Sequence, residues 1–272
     1  MKLWYQSMSR QGAWQAYHEV IKKLLDDFKD PDTEIEVHGI TKVGGVAVQY
    51  RYLEHLETCE VMENVATAMS RGFDAFLIGN ICDPGLHACR EIANIPVLGL
   101  CETALHLACI MGANYSLVTL NQKFTPRILE NVARYGLQSR LASVKRMGVD
   151  RTQDLDAGFT DENARKAHIA QFLKAADETV EEGAEVVIPA GGGMMTLLAY
   201  GGVYSASRGT PILNAITALV KMGEMAVKMD RIMGGTFTSK RLTYAPPGSD
   251  QIDEIRKYYG DIYPTVKSPS QS

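Results

Sequence analysis

Short apolar runs alternate along the chain with segments in which apolar residues recur every three or four positions. The first run, KLWY, begins at Lys2, and Tyr17 and Ile21 then follow at a spacing that is typical of a helix. Such runs predict buried strands, and the periodic segments predict the helices that cover them. Because strand and helix continue to alternate over most of the chain, we expect an α/β fold with parallel sheets.

The pattern predicts strands at residues 2–5, 34–40, 74–80, 95–100, 115–120, 141–147, 184–190 and 210–214. A long helix is expected after Thr160, the predicted N-cap, because the acids Asp161 and Glu162 then lie in the first helical turn. A methionine-bearing helix is expected at about 215–233. Ligands of parallel sheets bind beyond the carboxyl ends of the strands, so the loops at those ends are the candidate site.

The two halves of the chain resemble each other. Residues 72–80 match residues 183–191 at an offset of 111 positions, and the motifs PVL and TAL of the first half return later as PIL and TAL. These matches occur in the same order, which predicts two similar lobes related by a pseudo-twofold axis with a cleft between them. We expect residues 1–100 plus 215–272 to form the first lobe and residues 101–214 to form the second.

The composition is that of an ordinary globular protein. The chain has 272 residues, 46% hydrophobic and 22% charged, with a net charge of −4. No block of Lys and Arg suggests a nucleic-acid or membrane surface, and the N-terminus has no apolar signal core, so we expect a cytoplasmic protein. The five cysteines form no Cys-x-x-Cys pair, so neither a disulfide framework nor a metal site is expected.

The strand-end loops carry the candidate chemistry. Two facing lobes can place one acid/base group on each side of a carbon atom, which is what a racemase requires. The expected positions are Asn80 to Asp83 in the first lobe and Ala190 to Met194 in the second. A glycine turn can bind an anion through its backbone N–H groups. The expected substrate-binding residues are Gln6, Ser7, Asn80, Ile81, Thr119, Asn121, Gly191, Gly192 and Gly193.

Four segments carry a resemblance to a known family: DAFLIGNICDPGL, REIANIPVLGLCETALHLA, GAEVVIPAGGGM and PILNAITALVKMGEMAVK. On these segments, which together span most of residues 1–235, the sequence resembles the aspartate/glutamate/hydantoin racemase superfamily, and the hydantoin racemase branch most closely. The resemblance implies two flavodoxin-like lobes and proton transfer by a pair of cysteines without any cofactor. It also implies a homodimer or larger homo-oligomer.

The sequence departs from this family at both catalytic positions. When the Asp-Pro-Gly-Leu motif is aligned, the two family cysteines fall on Asn80 and Gly191. Cys82 lies two residues beyond the first position, beside a predicted helix N-terminus that would favour a thiolate. Asp83, the predicted N-cap of that helix, would oppose a second negative charge. We keep Cys82 and Asn80 as the candidate catalytic residues.

Three functions remain open from the sequence. The first is a cofactor-independent racemase or isomerase of a small carboxylate or a cyclic amide such as a hydantoin. The second is a decarboxylase of a malonate-like acid, which needs only one proton donor. The third is a ligand-binding protein that keeps the fold without catalysis, which the side-chain-free Gly191 favours.

Overall fold

The computed structural model describes residues 1–260, 262 and 263. Its strands are β1 (Lys2–Arg10), β2 (Glu34–Ile40), β3 (Ala75–Ile78), β4 (Val97–Gly99), β5 (Tyr115–Thr119), β6 (Leu141–Arg146) and β7 (Val187–Ala190). Its α-helices are α1 (Gln15–Phe28), α2 (Arg51–Ser70), α3 (Leu86–Ile92), α4 (Leu100–Met111), α5 (Thr125–Arg134), α6 (Ala157–Thr160), α7 (Glu162–Glu181), α8 (Gly192–Tyr200), α9 (Ala215–Ile232) and α10 (Ser249–Tyr259).

The strands form two parallel sheets, which confirms the predicted α/β class. The first sheet has the order β2-β1-β3-β4 and the second has the order β6-β5-β7. Strands β3 and β7 are buried along their whole length, because helices pack against the sheets. In the first sheet Gln6 pairs with Ile78, and in the second Thr119 pairs with Ala190. The strand-end loops of each sheet are therefore brought side by side.

Helix α9 returns from the second lobe and packs on β3 and β4 of the first sheet. Its Gly223 lies so close to Leu77 of β3 that a Cβ atom there would come within 2.8 Å of Leu77 Cδ2. The chain therefore passes between the lobes twice. The exact domain division at residues 100 and 215 stays a prediction.

Two sequence predictions about element ends are wrong. Residues 210–214 form two isolated bridges instead of a strand, a parallel one between Val187 and Ile212 and an antiparallel one between Ser205 and Pro211. The ladder beside β7 does not continue because Pro189, the next residue that would donate to it, has no N–H. The N-cap of α7 is Asp161, whose side chain accepts from the N–H of Ala164 at 2.7 Å, whereas Thr160 ends the preceding helix. In addition, β1 continues to Arg10, where it still pairs with β2.

Asp83 does not cap the helix that follows it. The left-handed Gly85 precedes α3, and the Asp83 carboxylate instead accepts from the N–H groups of Cys101 and Glu102 at 2.9 Å each. It also accepts from the Tyr135 hydroxyl of the second lobe at 2.7 Å. Asp83 therefore caps α4 across the sheet and ties the first lobe to the second.

Among the helices in the described part of the chain, none has the length and the apolar content that crossing a bilayer requires.

Candidate functional site

A pocket lies between the two lobes at the carboxyl ends of the strands, with an empty volume of about 690 Å³ that includes space open to solvent. The first lobe lines it with Ser7, Met8, Ser9, Trp14, Tyr17, Gly45, Val46, Ala47, Val48, Gly79, Asn80 and Ile81. The second lobe lines it with Leu120, Phe124, Thr152, Leu155, Phe159, Gly191, Gly192 and Gly193. The wall is mostly carbon, and its polar atoms lie at the strand ends.

The structure brings together six of the residues that the sequence singles out: Ser7, Asn80, Ile81, Gly191, Gly192 and Gly193. The turn after β3 and the turn after β7 therefore face one shared cavity. Asn80 Oδ1 accepts from the backbone N–H of Cys82 at 2.9 Å. This bond fixes the side chain, and it leaves the Asn80 Nδ2 group as a donor beside the pocket.

Three other predicted binding residues do not line the pocket: Gln6, Thr119 and Asn121. Gln6 Oε1 accepts from Trp4 Nε1 at 3.1 Å and from Asn64 Nδ2 at 2.9 Å. Thr119 and Asn121 form hydrogen bonds within the second lobe, Asn121 to backbone groups on both sides of its loop. All three are buried, so their side chains hold the strand ends in place. A direct substrate contact from them stays a prediction.

Cys82 faces away from this cavity. It lines a separate surface pocket together with Arg51, Glu54 and Arg127. Burial raises the pKa of its thiol to about 12, and the nearby Arg127 opposes this shift only in part. A thiol of this kind is protonated at neutral pH, and it lies outside the interlobe pocket. The catalytic role of Cys82 stays a prediction that the geometry does not favour.

A chain of hydrogen bonds runs from the pocket wall into helix α1. Ser7 Oγ lies 2.7 Å from Ser9 Oγ, and Ser9 Oγ lies 2.6 Å from His18 Nε2. Burial lowers the pKa of His18 below its usual value. The neighbouring Tyr17 interacts with the side chains of Ser7 and Thr196, and burial raises the pKa of its phenol to about 12.

A loop of the first lobe closes one side of the pocket with Gly45, Val46, Ala47 and Val48. The buried Glu57 accepts from the N–H of Gly45 at 2.7 Å, and the Gly45 carbonyl accepts from the N–H of Arg10 at 2.7 Å. The second lobe also holds this loop, because Arg127 Nη1 donates to the Val48 carbonyl at 2.6 Å. The loop therefore spans the two lobes above the strand ends.

The lining residues carry no formal charge at neutral pH. Their polar side chains are those of Ser7, Ser9, Trp14, Tyr17, Asn80 and Thr152, all of them neutral donors or acceptors. Within residues 1–260, 262 and 263, no group of three or more His, Cys, Asp or Glu side chains could hold a metal ion. The pocket thus suits a neutral ligand that has an apolar part and a few hydrogen-bonding groups.

A family model described as Asp/Glu/Hydantoin racemase matches residues 13–223. The chain belongs to the Asp/Glu/hydantoin racemase family. A hydantoin racemase from Pseudomonas sp. (strain NS671) is 30% identical over 239 residues, which make up 87% of this chain and 89% of that protein. The match confirms the predicted superfamily, its hydantoin racemase branch and the isomerase class.

Solved structures of the Asp/Glu/hydantoin racemase fold agree with the architecture. An allantoin racemase from Pseudomonas fluorescens superimposes with a TM-score of 0.72 at 26% identity, covering 91% of this chain and 97% of that one. An allantoin racemase from Klebsiella pneumoniae gives the same TM-score at 24% identity, with 91% and 94% covered. These likenesses confirm the two-lobed fold.

Sequence reasoning missed several residues of this racemase-family pocket. Ser9, Trp14, Tyr17 and Phe159 line it, and His18 lies directly behind Ser9. One sequence signal could have pointed to these residues. Ser7 and Ser9 follow the predicted first strand, and the adjacent pair Tyr17 and His18 begins the next predicted helix. Because the strand was predicted to end at residue 5, Ser9 was not placed at a strand end.

Proposed function

We propose that this protein racemises a small, neutral cyclic amide of the hydantoin type by moving a proton at the carbon next to a ring carbonyl. Family membership supports the reaction class. Relatives described as hydantoin racemase and allantoin racemase support a ring of this kind. The observation that carries the choice of substrate is the uncharged, mostly apolar lining of the interlobe pocket.

The charge of the lining distinguishes the substrate classes. An amino acid or other small carboxylate would need a cation or many converging donors to replace its water, because an uncompensated buried charge costs several kcal/mol. Among the residues that the structure describes, no Lys, Arg or His side chain lines this pocket. A cyclic amide instead presents neutral C=O and N–H groups, which Asn80 and the backbone of the glycine turn can match.

The glycine turn supports the charge that develops during the reaction. Loss of the carbon-bound proton leaves an enolate oxygen. Gly192 and Gly193 form the first turn of α8, where backbone N–H groups have no acceptor within the helix. These donors and the positive end of the helix dipole stabilise an oxyanion at this position.

The same lining argues against a malonate-like acid, the substrate of the decarboxylase alternative. Such an acid carries two carboxylates, and Asn80 and the glycine turn offer it only neutral donors. A purely ligand-binding role remains as an outcome of the test below. We further propose that no cofactor takes part, so that protein dialysed against EDTA keeps its rate. The cytoplasmic location and the homo-oligomer stay predictions.

The test uses both enantiomers of 5-benzylhydantoin in heavy water. We expect loss of optical rotation together with deuterium at the ring carbon, measured by polarimetry and proton NMR. L-Aspartate, L-glutamate and phenylmalonate serve as comparison substrates, with carbon dioxide release followed for the last. Asn80→Leu, which removes the amide donor, should slow the reaction, whereas Asn94→Leu on the opposite side of the first lobe should not. Turnover of the amino acids, or of phenylmalonate alone, would overturn the proposal.

A further inference from the structure

The interlobe pocket has no conventional base in its wall. None of the described residues that line it carries a carboxyl, imidazole, amine or thiol group. A proton on carbon cannot be removed without an acceptor of suitable basicity within hydrogen-bonding reach. The acceptor must therefore lie behind a residue of the wall and act through it. This inference rests on the proposed racemase function.

The hydrogen bonds around Ser9 connect the pocket wall to such an acceptor. Ser7 Oγ accepts from the backbone N–H of Ser9 at 3.2 Å and lies 2.7 Å from Ser9 Oγ, a contact in which either hydroxyl can donate. Ser9 Oγ lies 2.6 Å from His18 Nε2, and this nitrogen accepts from Ser9 when the ring proton is on Nδ1. In that tautomer His18 Nε2 is the last acceptor of the chain.

His18 is suited to be the end of this chain. It lies in the first turns of α1, outside the pocket lining, and it is half-buried and therefore in contact with solvent. Burial lowers the pKa of His18, so its ring is neutral at pH 7 and the Nε2 lone pair is available. A proton that arrives there can leave to water without crossing the pocket.

We propose that Ser9 and His18 act together as the base of this site. The carbon–hydrogen bond of the substrate breaks, the proton forms an O–H bond with Ser9 Oγ, and the original Ser9 proton forms an N–H bond with His18 Nε2. The electron pair of the broken bond moves into the adjacent carbonyl and gives the enolate. The planar enolate can then turn its other face toward Ser9, and the reverse sequence returns a proton from the imidazolium through Ser9 to whichever face of the carbon is presented.

Ser9 touches the reacting atoms, whereas Ser7 is a positioning residue. Ser7 is buried and hydrogen-bonded to Ser9 through both its Oγ and the Ser9 backbone. It thereby holds the Ser9 hydroxyl in the rotamer that faces His18.

A single base predicts a distinctive isotope pattern. The relay approaches the substrate from one face only, so most protons return to the face they left, after exchange with solvent at His18. In heavy water the recovered starting enantiomer should therefore gain deuterium faster than it is inverted. A pair of opposed bases gives the opposite pattern, with deuterium in the product and little in the recovered substrate.

The variants Ser9→Ala and His18→Gln test the relay on the full chain with L-5-benzylhydantoin as the probe. Each should lower kcat for deuterium exchange by about 10²- to 10⁴-fold, the usual contribution of a general base, with KM within about threefold of wild type. Ser9→Thr keeps the hydroxyl and should restore exchange to within about tenfold. His106→Gln, on the exposed face of α4, is the matched control and should leave kcat unchanged.

A second readout does not depend on activity. Nitrogen-15 NMR of ring-labelled histidine should show His18 as the Nδ1–H form, with its Nε2 shift changed by Ser9→Ala and, less strongly, by Ser7→Ala. A proton on Nε2 in the wild type would overturn the relay even if racemisation occurs. If the Nδ1–H form is present and no cyclic amide exchanges, the proposed function fails while the hydrogen-bond chain stands. Exchange that survives Ser9→Ala undiminished overturns the relay alone.

Discussion

The carbonyl oxygen of Gly79 lies 3.4 Å from the position that a Cβ atom on Gly192 would occupy. Gly79 belongs to the turn after β3 and Gly192 to the turn after β7, so the backbones of the two lobes nearly touch. The Tyr17 hydroxyl lies 3.9 Å from the same position. A ligand at this point can therefore be held by main-chain groups of both lobes at once.

Gly192→Ala should separate binding from folding. Alanine favours the first turn of α8, and its methyl group would meet the Gly79 carbonyl at an ordinary contact distance. We expect the free energy of unfolding to stay within about 0.5 kcal/mol of wild type, as for a surface change. Because the methyl group occupies space between the turns, KM for 5-benzylhydantoin should rise. Urea denaturation measures the change in stability, and initial rates measure KM. An unchanged KM would contradict the placement of the ligand between the Gly79 and Gly192 turns.

Gly79→Ala should destabilise the protein. A Cβ atom at Gly79 would overlap the ring and hydroxyl of Tyr5, which is fully buried beneath the turn. Overpacking of this kind costs about 1–3 kcal/mol, since neither the strand nor the phenol ring can move freely. Urea denaturation measures the change, and Gly192→Ala in the facing turn is the matched control. Equal stability of the two variants would show that the Tyr5 ring moves away from the new methyl group at little cost.

Asn80→Cys combined with Gly191→Cys should install two thiols in the pocket. The backbone of Gly191 is extended, with φ of 176°, so any residue can adopt it. The new Cβ would lie 3.1 Å from Leu120 Cδ1, and this pocket-lining side chain needs to shift by only a few tenths of an ångström. We expect faster racemisation of 5-benzylhydantoin, with deuterium now entering the product rather than the recovered substrate. The two single variants are the controls, and a double variant no faster than both would contradict the expectation.

Asp83 should make stability depend on pH. Burial raises its pKa from 3.8 to about 7, against the opposing effect of the Tyr135, Cys101 and Glu102 hydrogen bonds. Between about pH 4 and 7 the native protein holds a proton that the unfolded chain has released, so the free energy of unfolding falls as the pH rises through this window. Asp83→Asn should flatten that slope in urea denaturation series at pH 5, 6 and 7.

Tyr135→Phe provides the companion measurement for Asp83. It removes a hydrogen bond that favours the ionised carboxylate, so the pKa of Asp83 should rise further and the loss of stability should extend to higher pH. If both variants keep the wild-type slope, the titration belongs to another group.

Cys82→Ser should keep full turnover. The thiol lies outside the interlobe pocket, and its pKa of about 12 leaves almost no thiolate at neutral pH. For the same reason iodoacetamide at pH 7.5 should label the exposed Cys59 before Cys82, as followed by peptide mass spectrometry. Loss of turnover in the serine variant, with a normal melting curve, would restore Cys82 as a catalyst.

Much of the fold could be predicted from apolar periodicity, because buried parallel strands and their covering helices leave strong patterns. The errors occur where the local sequence pattern predicts one structure and hydrogen bonds to residues far along the chain produce another. Asp83 before Pro84 has the local form of an N-cap, yet its carboxylate binds α4 across the sheet. Residues 210–214 have the apolar pattern of a strand, yet Pro189 of the neighbouring β7 lacks the N–H that would extend their pairing beyond isolated bridges.

The sequence could predict a pocket-lining residue only where its place at the end of a strand is enough to put it in the pocket. Asn80 and Gly191 follow the buried strands β3 and β7, so their position at the carboxyl ends of parallel strands brings them into one pocket. The sequence could not predict which way each side chain points. Gln6 and Ser7 are neighbours on β1, and of the two only Ser7 lines the cavity. The pairing of Ser9 with His18 depends on how α1 lies over the end of β1, which no local pattern specifies.

The return of α9 to the first sheet also determines the order of events during synthesis. The ribosome completes β4 at Gly99, but the helix that covers β3 and β4 starts only at Ala215. Throughout the intervening translation, the area of β3 and β4 that α9 later covers stays exposed to solvent and open to aggregation. The complete core of the first lobe therefore forms only after a segment made near the end of translation has been added.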